Sequence, residues 1–350
     1  MSEKIRLLDL NEQELKDYVK NVLQQPAFRA DQIAKWLIAG ADIDEMTNLS
    51  LALREKIHET AVLGGARIVK TLTSQKDDTR KFLFEMEDGQ IVEGVLMAYH
   101  HGHTLCLSTQ VGCRMGCAFC ASTLEGLVRN LTEGEMLGQI IAVNKALGGG
   151  RQVDNLVLMG SGEPLDNYNN VVRMLRRLND PEGLGISLRN VSLSTCGLVD
   201  QMDRFSREGL PVTLCLSLHA PNDEIRQQIM PVARAYGIKD AVAALKRYTD
   251  RTGRRAIVEY SLIRNVNDSA QCAEELAQLL RGMRVHVNVI ALNPVKERSL
   301  EAPKPAQVNT FLKTLERCHI SATRRRTMGE DIEGACGQLR RKNKEMFEKQ

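Results

Sequence analysis

TLCLSTQVGCRMGCAFCAS, residues 104–122, is the stretch on which the reading of this chain turns. It places four cysteines within fifteen positions, and three of them, Cys113, Cys117 and Cys120, have the spacing C-x3-C-x2-C. LCLSTQ (105–110) at its start reads as a β-strand, and the loop that follows is opened by Gly112, Gly116 and Ala118. Three thiolates are one short of the set that zinc takes in a closed site. Cys106 could complete the set, but with an unusual spacing, and no second C-x2-C or His pair follows nearby. Buried structural cysteines would not need small neighbours to open the backbone. As iron–sulfur ligands the three would hold three irons of a [4Fe–4S] cluster and leave one iron open. Spacing alone leaves both metal readings standing.

Outward from this loop, short β-branched runs alternate with helix-length amphipathic segments. The strands expected after LCLSTQ are NLVLMG (155–160), NVSLST (190–195), VTLCLSL (212–218), AIVEYSL (256–262) and HVNVIAL (286–292). Six β-α units in series imply a parallel sheet with helices outside. The C-terminal ends of these strands run into STQVGC, GSGEPLDN, STCG, SLHAPND and LNP. Turn-forming would explain the glycines and prolines, but not Glu163, Ser194, Ser217, His219 and Asn293 gathering at the end where α/β barrels build their sites. No Walker loop and no G-x-G-x-x-G after the first strand is present.

Residues 1–65 read as a small helical module. Asn11 and Glu14 form a capping-box pattern, and Leu15, Tyr18, Val19, Val22 and Leu23 repeat at helical spacing. Over 66–100 the period changes to two, and KFLFEMEDGQIVEGVLMAY reads as a β-hairpin around Asp88-Gly89. Residues 101–345 form the core.

The chain has 350 residues, 43% hydrophobic and 26% charged, a soluble globular composition. No apolar run approaches the ~20 residues of a membrane span, and the charged start is not a signal peptide, so the expected compartment is the cytosol. Nine cysteines in such a chain read as metal-binding, catalytic or buried rather than as a disulfide framework. Cys196, Cys215, Cys272 and Cys318 sit in apolar patterns and are expected in the core. The net charge is +3, and the last thirty residues, with eight Lys/Arg against five Asp/Glu, carry an equal excess. Their clusters Arg324–Arg326 and Arg340–Lys344 suit either a solvated tail or an anion-binding one.

CRMGCAFC at the end of a first βα unit resembles the signature of the radical S-adenosylmethionine (SAM) enzymes. FRADQIAKWL, GSGEPLDNYNNV, LSTCG, LSLHAPNDEIR, ALNPV and GEDIEGACGQL together resemble the RlmN/Cfr family of RNA adenosine methyltransferases, over about residues 26–340. GEPL (162–165) is closer to the RlmN branch. The resemblance implies an α/β fold, a partial (β/α)6 TIM-like barrel with the N-terminal helical domain and β-hairpin extension attached. It implies a [4Fe–4S] cluster on Cys113, Cys117 and Cys120, whose open iron is chelated by SAM. Reductive cleavage of SAM then yields a 5′-deoxyadenosyl radical.

Further roles follow from the same resemblance. Two SAM molecules are used per turnover, one as methyl donor and one as radical source. The first methylates Cys336, and the second abstracts hydrogen from that S-methyl group, so that the carbon adds to adenine. Cys106 resolves the thioether adduct by forming a disulfide with Cys336, and Glu93 is the candidate proton acceptor. Gly162 and Glu163 contact the SAM amino group, while Ser194, Ser217, the Leu218 backbone, His219 and Asn293 contact its ribose and adenine. Adenine C2 is electron-poor and does not attack an electrophilic methyl group, so a radical route suits it.

The implied substrate is an adenosine of 23S rRNA near the peptidyl-transferase centre and, for the RlmN branch, the adenosine beside the anticodon in tRNA. An external electron donor such as flavodoxin or ferredoxin is implied, and no membrane partner. The N-terminal module and basic tail are natural phosphate contacts. The competing expectations are Cfr-like C8 methylation, a radical SAM enzyme acting on a small molecule or peptide, and a non-catalytic RNA-binding protein with zinc at the three cysteines.

Overall fold

The computed structural model describes residues 4–343. The chain begins with β1 (Ile5–Arg6), followed by helices α1 (Glu12–Asn21), α2 (Phe28–Ile38) and α3 (Leu51–Thr60) and by β2 (Ala61–Val62), which pairs with β1. The Asn11–Glu14 capping box is present, each side chain taking the other residue's backbone N–H. Leu15, Tyr18 and Val19 of α1 are buried against Ile33 and Leu37 of α2 in the main core.

Strands β3 (Arg67–Thr73), β4 (Arg80–Glu85) and β5 (Gln90–Tyr99) follow. The expected hairpin is β4–β5, turning at Asp88-Gly89 with Gly89 at φ +77. It is one part of a three-stranded antiparallel unit that continues the barrel sheet. β5 pairs with β6 (Gly102–Cys106), the first barrel strand, so one sheet runs through both.

The cysteine loop carries the short pair β7 (Gln110–Gly112) and β8 (Leu127–Asn130). The chain then alternates through α4 (Glu133–Ala146), β9 (Val153–Leu158), α5 (Tyr168–Leu178), β10 (Val191–Thr195), α6 (Val199–Phe205) and β11 (Thr213–Ser217). It continues through α7 (Asp223–Ile229), α8 (Ile238–Thr252), β12 (Ala256–Leu262), α9 (Ala270–Leu279), β13 (Val285–Ala291), α10 (Pro305–Arg317) and β14 (Ala322–Arg324). A last strand, β15 (Lys342–Asn343), returns to pair with β5. The sheet order is β14-β13-β12-β11-β10-β9-β6-β5-β4-β3, parallel from β14 to β6 and with β14 and β3 unpaired to each other. This is the expected partial barrel, with one more parallel strand than the six foreseen. β14 is the three residues Ala322-Thr323-Arg324, too short to carry an apolar alternation.

Alternation along the strands decides what the barrel holds. Leu193, Leu214, Leu216, Val258, Tyr260, Val287 and Val289 are fully buried and pack outward on Leu245, Leu276 and Phe311 of the helices. Each such side chain contributes about 2 kcal/mol. The opposite parity presents Ser194, Cys215, Ser217, Glu259, Ser261 and Asn288. A closed barrel fills its interior with branched apolar side chains; this interior is polar and is built to hold a ligand.

The N-terminal module is tied to the barrel helices by charge. Arg173 and Arg177 of α5 both pair with buried Glu133, and reach Glu14 and the carbonyls of Leu8 and Asp9. Cys215 is buried as expected, but Cys318 is exposed: it caps the C-terminus of α10, beyond the last buried turn. Arg340 and Arg341 are engaged within the fold, by Glu297 and by Gln90 and Glu125, while Lys344 of the basic tail lies outside the described residues. Among the described residues no helix is long and apolar enough to cross a membrane.

Candidate active site

The cysteine loop leaves the C-terminal end of β6 and folds over the mouth of the barrel. Its turns are held by backbone bonds: Cys113 N donates to Gly126 O (3.0 Å), Ala118 N to Ile229 O (2.9 Å) and Cys120 N to Cys117 O (3.2 Å). Cys113, Cys117 and Cys120 line one wall of a cavity of about 150 Å³. Burial pushes all three thiols up, Cys113 to about 12, with neighbouring thiols adding to the shift of Cys113 and Cys117. Among the described residues no group of three His, Cys, Asp or Glu side chains converges to hold a single metal ion. Three cysteines lining one cavity have the number of thiols that hold three irons of a [4Fe–4S] cluster, and binding to iron supplies the charge needed to deprotonate them. Arg226 adds a fixed cation beside Cys117 and Cys196. It is fully buried and donates to the carbonyls of Cys196 (2.6 Å), Leu218 (3.2 Å) and Tyr236 (3.3 Å).

The same cavity is lined by six of the residues expected to bind SAM: Gly162, Glu163, Ser194, Ser217, His219 and Asn293. Gly162 adopts φ +108, and a Cβ there would lie 2.6 Å from the Gln110 side chain, so glycine is required. Glu163 is buried; its carboxylate accepts from Leu165 N (3.0 Å) and Cys196 N (2.8 Å), and burial raises its pKa. The Ser194 and Ser217 hydroxyls lie 3.1 Å apart.

His219 has φ +56 and takes the Ser261 N–H on Nδ1 (2.9 Å), so the neutral ring carries its proton on Nε2 as a donor. Burial, with Arg226 nearby, holds its pKa down at about 3. Phe119 meets the ring edge-on at 4.8 Å. Leu218 is not part of this lining: its N–H goes to Glu259 O, its carbonyl to Arg226 and its side chain to the core.

Cys336 reaches the same cavity from the C-terminal segment. Asn293 Nδ2 donates to Cys336 O (3.0 Å), Ala121 N to Gly337 O (2.8 Å), Ser122 Oγ to Leu339 O (2.6 Å) and Gln338 Nε2 to Pro294 O (2.9 Å). The segment is thus laced to both the cysteine loop and the end of β13. Cys336 also lines an adjoining cavity with Cys106, Val95, Met97, Tyr99, Met159 and Arg325. Both cysteines are free thiols, so the expected disulfide is not formed in this structure. Burial pushes Cys106 up to about 12, partly offset by Arg325. β6 ends at Cys106, and Ser108 lies in the following loop, donating to Glu93 O (2.7 Å).

Glu93 does not line either cavity. It is fully buried, its Oε1 lies 3.3 Å from Lys81 Nζ, and its Oε2 accepts from Arg340 N (3.0 Å), four residues past Cys336. A half-exposed strand position would have left this carboxylate solvated; Lys81 and the C-terminal segment bury it. Cys196, expected in the core, lines the main cavity beside Glu163.

The sequence does not mark Arg325, Glu259 or Arg226 as site residues. Arg325 lines both cavities and lies 3.4 Å from Glu259 Oε1. In the sequence it is one arginine of three in a basic cluster, and Glu259 is one polar residue in an alternating strand; neither pattern carries a distinguishing signal.

Comparison with known proteins follows the same geometry. A family model described as the radical SAM superfamily matches residues 107–280, and one described as the ribosomal RNA large subunit methyltransferase N-terminal domain matches residues 5–63. The chain is 48% identical over 337 residues to a probable dual-specificity RNA methyltransferase RlmN of Clostridium acetobutylicum, covering 96% of each chain. It is 48% identical over 342 residues to the protein of the same description in Clostridioides difficile, covering 97% of this chain and 99% of that one. A crystal structure of a radical SAM methyltransferase from Sphaerobacter thermophilus superposes with a TM-score of 0.91 at 43% identity, over 96% of this chain and 99% of that one.

Proposed function

Because this chain belongs to the RlmN family of radical SAM RNA methyltransferases, we propose that it methylates C2 of an adenosine in 23S rRNA near the peptidyl-transferase centre and of the adenosine beside the anticodon in tRNA. Cys336 carries the methyl group on its way to the base, Cys106 is the thiol that releases the product, and Glu93 is the proton acceptor. The observation that supports this reading best is that Cys336 faces the three cysteines and the SAM-binding wall on one side and Cys106 on the other.

When bound, the cluster and SAM supply one-electron chemistry able to take a hydrogen atom from a methyl group. Everything else falls to the chain. Cys113, Cys117 and Cys120 hold the cluster. Glu163 offers a carboxylate to the SAM ammonium, with its own orientation set by two backbone N–H groups. Ser194, Ser217, the His219 Nε2–H and Asn293 offer short polar contacts to ribose and adenine. Asn293, bonded to Cys336 O, couples that wall to the position of the carrier sulfur. Two SAM molecules serve each turnover, one for Cys336 and one for the radical step.

The target adenine must leave its stack to reach Cys336. The N-terminal module and exposed Arg324 and Arg326 supply phosphate contacts. Electrons come from an external one-electron carrier such as flavodoxin or ferredoxin, and the enzyme works in the cytoplasm.

Two measurements test the reading. RNA from cells with the gene contains 2-methyladenosine at both sites, and deletion removes it; 8-methyladenosine instead would move the chain to the Cfr-like activity, and no change in either would reject both. The peptide containing Cys336 carries a methyl mark of about 14 Da in purified protein. A peptide never so marked would reject Cys336 as carrier.

A further inference from the structure

Glu259 is a buried carboxylate whose two oxygens the fold uses unequally. It sits in the middle of β12, 3% exposed, in direct register with Ser217 of β11 and Asn288 of β13. One oxygen is held: Oε1 accepts from Asn288 Nδ2 (2.9 Å) and faces Arg325 Nη1 (3.4 Å). The other, Oε2, has no hydrogen-bond partner among the described residues, although the side chain lines the main cavity. A buried carboxylate oxygen without a donor costs several kcal/mol, so a donor belongs there when the site works.

The neighbours restrict what that donor is. A carboxylate only accepts, so the missing partner is a donor; the Ser194 and Ser217 hydroxyls lie 3.1 Å from each other and neither bonds Oε2. His219 and Phe119 also line the cavity, their rings meeting edge-on at 4.8 Å. The serine and glutamate row therefore suits a saturated, hydroxyl-bearing group.

We propose that Glu259 Oε2 accepts a hydrogen bond from a ribose hydroxyl of the adenosyl cosubstrate, and that Asn288 and Arg325 are the positioning residues that aim it. The assignment rests on the SAM-binding reading of this cavity. Arg325 and Asn288 hold the Oε1 side of the carboxylate in place and leave Oε2 toward the cavity that SAM, itself a cation, enters. A charged acceptor of this kind distinguishes a sugar that bears the hydroxyl from one that lacks it.

The test measures equilibrium binding of SAM, 2′-deoxy-SAM and 3′-deoxy-SAM to cluster-loaded protein under anaerobic conditions. Wild type prefers SAM over one of the two analogues by about tenfold or more, the usual effect of one hydrogen bond to a charged group. Glu259→Ala weakens SAM by a similar factor but leaves that analogue's affinity unchanged, so the preference collapses. Glu259→Gln retains an acceptor for Asn288 and nearly the same volume; it keeps the fold if the alanine variant does not, and it too narrows the preference. Variants that discriminate as wild type does overturn the assignment while leaving the family reading intact. Preference lost against an analogue altered at the adenine amino group, with both deoxy analogues bound normally, would place the contact on the base and overturn it as well. Wild type that binds no SAM would overturn the underlying reading.

Discussion

His219 shows how little of a residue's chemistry is written in its type. Its left-handed backbone turns the ring back onto Ser261 N, and burial keeps it neutral. The consequence is a pH dependence of stability. The folded chain binds a proton at His219 only near pH 3, against 6.5 ordinarily, so below 6.5 the unfolded state takes up a proton that the folded state does not. Stability from this group is therefore complete above pH 6.5 and declines as pH falls toward 3, by about 2 kcal/mol at pH 5 relative to pH 8. His219→Asn keeps an acceptor near Nδ1 and tolerates the positive φ. Urea unfolding at the two pH values then shows a smaller drop in the variant by about that amount; equal drops would mean the ring is not held neutral.

At the scale of elements, the C-terminal segment is the part that completes the site. Gly334 and Gly337 suggest a mobile loop in the sequence, and here four hydrogen bonds from Asn293, Ala121, Ser122 and Gln338 dock it. Gly337 is at φ +83 with Phe119 O 3.3 Å from where a Cβ would stand. Gly337→Val places a β-branched side chain in that conformation, at a cost of about 1–3 kcal/mol. Peptide-resolved hydrogen exchange over 335–339 accelerates in the variant while the barrel strands keep their protection. Unchanged exchange there would show that the loop is held by something other than its turn.

The barrel elements were legible because their strands alternate cleanly and their turns carry Gly, Pro and Asn. β14 and the continuity of β5 with β6 were not, since a three-residue strand has no periodicity and pairing partners are not a local property. Among site residues, the cysteine triad is readable from spacing. Glu93 is not, because what buries it is Lys81 of β4 and Arg340, 247 positions on. Glu259 and Arg325 become a pair only through the register of β12, β13 and the chain after β14.

For the whole molecule, the attachment of the N-terminal module to the barrel combines a shared apolar core with a partly buried charge cluster. Glu133 is 2% exposed and is neutralised by Arg173 and Arg177, which also hold Glu14 and two carbonyls of the module. Replacing both arginines by alanine strands a buried carboxylate and costs about 3–5 kcal/mol. Arg247→Ala, whose partner Asp203 is 28% exposed, costs at most about 1 kcal/mol. Urea midpoints of the two variants should separate accordingly, and near-equal midpoints would place the attachment in the apolar contacts instead. The same double variant loses RNA affinity if the module grips the substrate as proposed.

The sequence by itself determined the cysteine triad, the series of βα units and the polar face of each strand, because these depend on spacing and alternation along a few residues. Only the tertiary structure decided which groups meet. Closing the strands into a partial barrel brings Cys106 and Cys336 to one cavity and sets Glu259 between Ser217 and Asn288. The physical reason is that register and sheet order are settled by the packing of the whole sheet against its helices, and no local stretch contains that information.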